Sequence, residues 1–449
     1  MYAFVKKHWA LGSILLLGII IHLVPLVRFG AQGLGYDSGF YRRHLIKPLV
    51  SFPNTPTPGL GDDALLPRMA LDALRALQIP PDIILFGSHM MLWALGALTL
   101  FVVLKKFADA RAGLLAALLF TISPLQYVTY WFVLWKHAFA LPLFFLLLAA
   151  LERKSYWAVL LALALSLSHN TTSAFAIMVL GVFLIMQPRA WRTTGSALAV
   201  LVSSYLALHP LAGEYASGNL VGVFIPVEYF LWNIAPLMPL ALVGMVTITQ
   251  NRSSLFAFAL TALAFPLAQL PFWERILIFA DIALIIMAAL GLVSIIRWIV
   301  AHRETKTTSG SVLVLALLLG SYLALLNNRM RDWEPFEAPY AARSDIQKIV
   351  THIMPDQKIL TTTELAPWVF GWTTNKVIAP GLLGDPHNHE EWIQYWGDPN
   401  HPEAKDFLDT YGERFYFFIP PDEQNAFVPK DKCVRKLTEY IAEYYCAVP

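Results

Sequence analysis

Long apolar stretches, separated by short charged connections, follow one another along the first 330 residues of the chain. A helix needs about 20 apolar residues to cross a bilayer. Only 14% of the 449 residues are Asp, Glu, Lys or Arg, whereas a soluble domain has about a quarter. We therefore predict a mainly α protein, a polytopic transmembrane helix bundle of about 11 spans, in which the shorter stretches borrow flanking residues. The predicted spans are 9–27, 83–104, 110–128, 137–151, 155–168, 173–187, 194–211, 229–249, 254–272, 276–299 and 311–326.

The basic residues indicate which way the bundle faces. Every second connection is basic, and these connections share a side with Lys6 and Lys7 if the number of spans is odd. Because basic connections stay in the cytoplasm, we expect a multi-pass protein of the cell (cytoplasmic) membrane with a cytoplasmic N-terminus and an extracytoplasmic C-terminal domain. The first stretch has no convincing small-residue cleavage site, which favours an uncleaved span over a secretory signal. The basic residues of these connections are Lys105, Lys106, Arg111, Arg153, Lys154, Arg189, Arg192, Arg252, Arg297, Arg303 and Lys306.

The distribution of charge divides the chain into two domains. Residues 1–330 form the predicted transmembrane domain, in which 29–82 are the first extracytoplasmic loop and 68–77 have the apolar spacing of an interfacial helix. Charges become frequent beyond this domain, and 331–449 are predicted to form a small C-terminal α/β extracytoplasmic domain. The net charge of +2 gives no reason to expect a nucleic-acid partner. The predicted strands are Lys358–Thr362 and Arg414–Ile419, and the predicted helices include Ala342–Met354 and one around Phe407–Tyr411.

Charged residues at the outer face of the membrane are costly to bury, so they are candidates for function. The sharpest candidate is Asp37, in the string Gly35-Tyr-Asp-Ser-Gly-Phe-Tyr-Arg-Arg-His44 that follows the first span. A carboxylate at the mouth of a membrane cavity could act as a general base, with Arg42, Arg43 and His44 as an anion site. Alternatively, Asp37 is a turn residue and the arginines contact lipid headgroups.

Several later spans carry polar residues near the same predicted face. Lys136 and His137 begin the fourth span, and His169 lies in the turn after the fifth. Glu274 and Arg275 precede the tenth. Asp281 lies within the tenth span, six positions from Arg275, which is a poor helical pairing, so we expect its partner on another helix. For each of these residues a structural role is the alternative to a catalytic one.

The C-terminal tail contains Asp385-Pro-His387-Asn-His389-Glu390, which resembles a metal-binding string. No spaced cysteine or histidine pair completes a zinc pattern, and a polar loop that covers the cavity is the alternative. The chain also has no P-loop, Rossmann glycine pattern or serine-hydrolase elbow, which argues against a nucleotide-driven pump. Cys433 and Cys446 leave open whether the tail has a disulfide.

Together these features resemble the membrane-embedded GT-C superfamily of glycosyltransferases, of the polyprenyl-phosphate-sugar dependent type. Members have a cytoplasmic N-terminus, many spans and an acidic residue in the first outer loop, and many end in an extracytoplasmic domain. Asp37 in GYDSGFYR sits where the family has its loop-one acid, and 274–292 look like its late arginine-bearing span. Residues 360–381 and 407–419 are similar to the tail of many bacterial and archaeal members. The oligosaccharyltransferase signature WWDYG and a paired DxD are absent, which favours a monosaccharide transferase.

The resemblance implies an inverting glycosyltransferase that moves a sugar from a polyprenyl-phosphate carrier to an extracytoplasmic acceptor, either a glycan, a lipid or a protein. Asp37 is the implied catalytic base, and Arg275, Lys136 and Arg42 are implied to bind the donor phosphate. No cofactor is required on this interpretation, and a divalent metal is compatible with it but not favoured. The implied partners are the lipid-linked donor, the acceptor and the bilayer. Further candidates to line the cavity are Arg43, His44, His169, Glu274, Asp281, His387 and His389, with 385–392 as a candidate lid.

Other functions stay open on the sequence alone. A transporter or flippase of a lipid-linked glycan would bury charged residues along a path and is usually built from paired halves. Asp281 fits such a path, but no repeat of halves is present. A membrane glycan polymerase or ligase would carry long outer loops within the bundle. A non-catalytic scaffold of the same fold is a further alternative, because a fold does not fix a function.

Overall fold

The computed structural model describes residues 2–29, 35, 37–46, 65–208, 226–248, 253–269, 273–302, 306–332, 341–380, 385–412, 414–430 and 432–445. The helices of the bundle are α1 (Tyr2–Phe29), α2 (Ser38–Ile46), α3 (Leu65–Arg75), α4 (Pro81–Phe107), α5 (Ala110–Thr121), α6 (Pro124–Trp131), α7 (Trp135–Glu152), α8 (Trp157–Ser166), α9 (Asn170–Met186), α10 (Trp191–Leu208), α11 (Val227–Ile234), α12 (Met238–Ile248), α13 (Ser253–Leu267), α14 (Trp273–Ala301) and α15 (Lys306–Arg331). The C-terminal region contains α16 (Arg343–His352), β1 (Lys358–Thr361), α17 (Ala366–Trp372), β2 (Lys376–Ile378), α18 (His389–Gly397), α19 (Pro402–Asp409), β3 (Phe415–Phe418), α20 (Gln424–Phe427), β4 (Val434–Lys436) and β5 (Ile441–Tyr444).

Six of the described segments are long and apolar enough to cross a membrane, namely α1, α4, α7, α14, α15 and the segment formed by α11 and α12. Two sharply bent pairs raise this number to eight if each counts as one span. These pairs are α5 with α6, bent by 51°, and α9 with α10, bent by 117°. All eleven predicted stretches contain helix, but α8 and α13 have only 10 and 15 residues. By length and composition, the described residues therefore fall short of the predicted 11 spans.

A proline lies at each of the two bends, and a capping serine lies at the first. α5 ends at Thr121, and the Ser123 hydroxyl caps α6 by accepting a hydrogen bond from the backbone N–H of Gln126 (3.1 Å). Pro124 follows in the first turn of α6, where the missing N–H of proline is tolerated, and Pro188 has the same place between α9 and α10. Apolar patterning thus predicts the helices well but their continuity poorly.

Helix α14 forms the centre of the bundle, since the apolar window that defines it as a span is completely buried. Its backbone touches that of α12 at two glycines. A methyl group on Gly244 would overlap the carbonyl of Met287, and one on Gly291 would overlap the carbonyl of Leu240. Small residues allow this close packing between membrane helices, where dispersion contacts rather than exclusion of water hold the helices together.

We expect Gly244→Ala to destabilise the bundle, because the added methyl group must push α12 away from α14. Overpacking of a tight contact costs about 1–3 kcal/mol. Thermal unfolding of the purified protein in detergent measures the effect. Gly181→Ala is the matched control, since a methyl group on this α9 glycine has open space around it. Equal unfolding temperatures for the two variants would contradict the close packing of α12 on α14.

The C-terminal region contains a five-stranded sheet of order β2-β1-β3-β5-β4. β1 pairs in parallel with β2 and β3, whereas β5 is antiparallel to β3 and β4. The strands predicted at 358–362 and 414–419 are confirmed as β1 and β3, and the two predicted helices overlap α16 and α19. Cys433, just before β4, is disulfide-bonded, and the only other cysteine of the sequence, Cys446, lies outside the described residues.

The two faces of the sheet have different surroundings, because successive side chains of a strand point to opposite sides. One face, with Ile359 and Tyr416, belongs with α16 and α17 to the same apolar core as the helix bundle. The other face, with Phe415 and Phe417, packs against α18, α19 and α20 in a separate core around Trp392. The sheet is therefore docked on the bundle through one face, and α18 and α19 lie on the side away from it.

Candidate active site

Asp37 lies in a tight turn between α1 and α2. The backbone N–H and the hydroxyl of Ser38 both donate to the carbonyl of Gly35, at 3.0 and 2.5 Å, which closes the turn. Gly35 itself lies so close to the chain at Trp131 and Phe132 that a methyl group there would overlap their backbone. Glycine at this position therefore lets the Asp37 turn lie directly on the turn between α6 and α7.

Two basic residues from other helices lie close enough to Asp37 to act on its charge. Lys136 is in the first turn of α7 and Arg275 in the first turn of α14. Burial of the carboxyl group raises the pKa of Asp37 to about 6, and the positive charges of Lys136 and Arg275 oppose this increase. All three residues are partly exposed. The structure thus brings together three predicted site residues, which form the Asp37 cluster.

The turn before Lys136 is held in a strained conformation. Val133 has a φ of 53°, in the left-handed region that β-branched residues rarely adopt. The backbone N–H of Trp135 donates to the Val133 carbonyl (2.7 Å), and its indole N–H donates to the Ser88 hydroxyl (2.9 Å). Strain of this kind concentrates at functional sites, where the surrounding packing maintains it. Sequence reasoning missed this turn, because a positive φ at a valine leaves no pattern in the sequence.

Two histidines lie near the Lys136 end of α7. The ring of His137 is 5.9 Å from the ring of His169, the residue that precedes α9, and the Nδ1 atom of His169 is 2.7 Å from the Thr172 hydroxyl. His137 is buried against Phe279 of α14, with ring centres 5.2 Å apart, and its Nε2 atom has no hydrogen-bond partner in the described part of the chain. His169 was predicted as a site residue, and His137 was named with Lys136 at the start of the fourth span, with a structural role as the alternative.

Solved structures match the fold of the chain. Oligosaccharyltransferase AglB of Archaeoglobus fulgidus, in complex with an inhibitory peptide and a dolichol-phosphate, aligns with a TM-score of 0.63 over 94% of this chain and 70% of its own, at 13% identity. ArnT of Cupriavidus metallidurans, bound to undecaprenyl phosphate, aligns with a TM-score of 0.62 over 96% and 98%, at 14% identity. Both are GT-C glycosyltransferases. The chain has the GT-C fold. No family model and no curated protein sequence matches it.

The resemblance predicted from the sequence is thus confirmed at the level of the fold. The fold match and the apolar helices both indicate a multi-pass membrane protein. At 13–14% identity the alignment carries no information on individual side chains. The roles of the site residues therefore rest on the contacts made within this chain.

The two arginines that follow Asp37 in sequence are bound elsewhere. Arg42 donates to both carboxylate oxygens of Asp82 in α4, at 3.0 and 3.4 Å, and to the carbonyl of Gly371 in α17, at 2.8 Å. Arg43 is buried and donates to the two carbonyls that follow α17. The structure uses these side chains to join helices and does not bring them together with Asp37 as an anion site.

His44 and Glu274 are also placed by the structure. The Nε2 atom of His44 is 3.0 Å from a carboxylate oxygen of Asp72 in α3. Burial lowers the pKa of His44, and the carboxylate of Asp72 opposes this change. Glu274 is partly exposed and lies next to Arg275 in the first turn of α14. Glu274 is thus at the edge of the Asp37 cluster, whereas His44 connects α2 to α3.

Asp281 lies deeper in α14 and has partners on another segment, as predicted. Its carboxylate accepts hydrogen bonds from the Ser123 hydroxyl (2.9 Å) and from the side-chain N–H of Gln126 (2.8 Å). Both donors come from the bend between α5 and α6. Asp281 therefore ties α14 to the bent pair from within the bundle core and is not part of the Asp37 cluster.

The acidic and histidine-rich string of the tail packs on the side of the sheet away from the bundle. Asp385 accepts hydrogen bonds from the Trp392 indole (2.5 Å) and the Tyr411 hydroxyl (2.9 Å), within the core of that face. His387 stacks on an aromatic ring of α19, and the side chain of His389 lies outside the described residues. No group of three metal-binding side chains is found in the part of the chain that the structure describes. Residues 385–392, the predicted lid, could cover the Asp37 cluster only if they left the core around Trp392.

We expect Lys136→Met to raise the pKa of Asp37, because it removes one of the two positive charges that oppose the effect of burial. If the ionised carboxylate is the base, activity is lost as the pH falls through this pKa, so the acid limb of the profile moves to higher pH. Rates measured between about pH 5 and 9 check the shift. Arg153→Met, at the far end of α7, is the control and is expected to keep the native limb. If the acid limb of the Lys136→Met profile stayed at the native pH, Asp37 would not be the group that titrates there.

Proposed function

We propose that the chain is an inverting glycosyltransferase that moves a sugar from a polyprenyl-phosphate carrier to an acceptor hydroxyl group. The observation that carries this proposal is the Asp37 cluster, in which two basic residues act on the carboxyl group of a partly exposed aspartate at one end of a GT-C fold. AglB was solved with a dolichol-phosphate and ArnT with undecaprenyl phosphate, which supports a donor of the same lipid class here.

Asp37 supplies the base. With a pKa of about 6, its carboxyl group is mostly ionised at neutral pH and still basic enough to accept a proton. The acceptor hydroxyl gives its proton to Asp37 while its oxygen forms a bond to the anomeric carbon of the sugar. The bond from this carbon to the carrier phosphate breaks, and its electron pair stays on the phosphate oxygen. Attack from the opposite face inverts the configuration of the anomeric carbon.

Arg275 and Lys136 bind the phosphate. The carrier gains negative charge as the bond breaks, so fixed positive charges stabilise the transition state more than the bound donor. A guanidinium group binds phosphate through two parallel hydrogen bonds, whereas an ammonium group acts as a compact charge. Arg275 is therefore assigned the main contact and Lys136 a supporting one. Arg42 is left out, because its guanidinium group is bound to other parts of the protein.

The proposed reaction needs no metal ion. Lys136 and Arg275 already supply positive charge next to Asp37, and both would repel a divalent cation at the same carboxylate. Charge neutralisation by side chains also fits the chemistry of a leaving phosphate, which requires positive charge more than it requires protonation.

The basic residues at the other end of the bundle support an orientation in the membrane. Lys105, Arg153 and Arg297 lie at the ends of α4, α7 and α14 that are distant from the Asp37 cluster. If basic connections face the cytoplasm, as the positive-inside rule predicts, transfer takes place on the extracytoplasmic face of the cytoplasmic membrane.

Glycosyl transfer is preferred to transport because of the surroundings of Asp281. A path for a polar substrate would need this carboxylate to be accessible, but it is only 1% exposed and accepts hydrogen bonds from two side chains. Its arrangement is that of a structural tie between helices.

The proposal is tested with purified protein in liposomes, incubated with a panel of radiolabelled polyprenyl-phosphate sugars and membrane-extracted acceptors. Transfer of label to an acceptor, with release of the polyprenyl phosphate, is the expected result. Label that crosses the bilayer without transfer would favour a flippase instead. Binding of donor with neither transfer nor crossing would favour a non-catalytic scaffold. Protein-free liposomes and heat-inactivated protein are the controls.

A further inference from the structure

The C-terminal region reaches the Asp37 cluster through helix α2, which begins directly after Asp37. Gly39 of α2 and Gly371 of α17 bring these two helices into backbone contact. A methyl group on Gly39 would overlap the carbonyl of Pro367, and one on Gly371 would overlap the backbone of Gly39. The helices can approach this closely only because neither glycine has a side chain.

Two arginines fasten the same contact. Arg42 donates to the carbonyl of Gly371 at 2.8 Å. Arg43 is 6% exposed and donates to the carbonyls of Thr373 and Thr374. The last carbonyl groups of a helix have no partners within it, and positive charge stabilises that end. The arginines of α2 therefore close the C-terminal end of α17.

The remainder of α2 links this contact to the reacting groups. Tyr41 is 1% exposed, and its ring lies 6.2 Å from the ring of Trp135, the residue before Lys136. The backbone N–H of Tyr41 is 3.4 Å from the carbonyl oxygen of Asp37, in the first turn of α2. One short helix thus connects α17 to Asp37 and to the turn that carries Lys136.

We infer that the α2–α17 contact positions Asp37 against Lys136 and Arg275, and that Arg42 is a positioning residue rather than a phosphate ligand. This inference rests on the proposed function, in which Asp37 is the base. The C-terminal region then acts as a fixed support for the base and not as a lid that opens for each acceptor. A misplacement of about 1 Å can lower a rate about 100-fold, so even a small shift of α2 has a large expected effect.

The test is Gly371→Ala in the full chain, reconstituted in lipid nanodiscs, with Gly397→Ala as the matched control. Gly397 ends α18 in the same region, and a methyl group there has open space. Gly371→Ala is expected to lower kcat about 100-fold, to leave binding of polyprenyl phosphate unchanged and to speed hydrogen exchange of the α2 amides. The control is expected to match the native protein in all three measurements. The inference would be overturned if the α2 amides of Gly371→Ala exchanged at the native rate. It would also be overturned if they exchanged faster while kcat stayed native.

Arg42→Lys serves as a second variant and decides the question if Gly371→Ala fails to fold in size-exclusion chromatography. Lysine keeps a positive charge but cannot keep the contacts of the guanidinium group with both Asp82 and Gly371. Lower kcat and faster α2 exchange, with unchanged binding of polyprenyl phosphate, are expected. Weaker binding with native exchange would make Arg42 a phosphate ligand and overturn the inference. Hydrogen exchange of α2 and binding of polyprenyl phosphate can be measured without turnover. If the native protein had no transferase activity, the proposed function would be refuted, and these two measurements would still test the α2–α17 contact.

Discussion

Replacement of Asp37 by asparagine is expected to reduce glycosyl transfer about 100- to 10,000-fold, the contribution typical of a general base. Asparagine keeps the size of the side chain but cannot accept the proton of the acceptor hydroxyl. Donor binding is expected to persist, because Lys136 and Arg275 remain and lose the carboxylate that competes for their charge. Initial rates and equilibrium binding of polyprenyl phosphate, measured on the same preparation, check both parts of this expectation.

The pH dependence distinguishes a lost base from a general loss of structure. Native activity is expected to fall as the pH falls below about 6, because protonation removes the base, and the residual activity of Asp37→Asn should lack this limb. Asp406→Asn has the same change of charge on an exposed residue of α19 and is the matched control. Equal transfer by Asp37→Asn and the native protein would remove Asp37 from the role of base.

The Asp37 cluster could be predicted from the sequence because its members lie at the ends of spans. Asp37 follows the first apolar stretch, and Lys136 and Arg275 begin the fourth and tenth. When the chain crosses the membrane repeatedly, alternate helix ends meet on one face, so the order of the spans already groups these residues. The order of the spans does not predict the close approach of Gly35 to the α6–α7 turn. This approach holds the Asp37 turn against the turn that precedes Lys136.

Residues whose partners lie far away in the sequence were harder to interpret. Arg42 looked like part of a local anion site, but Asp82 and Gly371 bind it across the fold. His387 was predicted to line the cavity, but it stacks on an aromatic ring of α19 in the outer core of the sheet. In both cases the partner of the side chain depends on the tertiary fold. A short string of charged residues therefore does not predict it.

Arg275→Gln is expected to lower kcat about 100- to 1,000-fold, the usual effect of removing one group that stabilises developing charge. The effect on KM for the donor should be smaller, because the phosphate carries less negative charge in the bound donor than in the transition state. Arg275→Lys is expected to be intermediate, since it keeps the charge but loses the paired hydrogen bonds of the guanidinium group.

Loss of Arg275 also acts on the base, and the two effects can be separated. Without this positive charge the pKa of Asp37 rises further, so at neutral pH part of the lost activity would come from protonation of Asp37. Rates should therefore be compared at about pH 8.5, where the carboxyl group is ionised in the native protein and close to it in the variants. The fall in kcat that remains there reports the stabilisation of the leaving phosphate.

Arg297→Gln is the control for this experiment, because Arg297 lies at the opposite end of the same helix, where its exposed side chain pairs with Asp109. It has the same change of charge on α14 but no contact with the Asp37 cluster, so native kcat and KM are expected. If Arg275→Gln kept native kcat at high pH, its only effect would be through Asp37, and the leaving phosphate would have to be stabilised by Lys136. If both variants lost activity equally, the loss would reflect the packing of α14 and not the chemistry of its first turn.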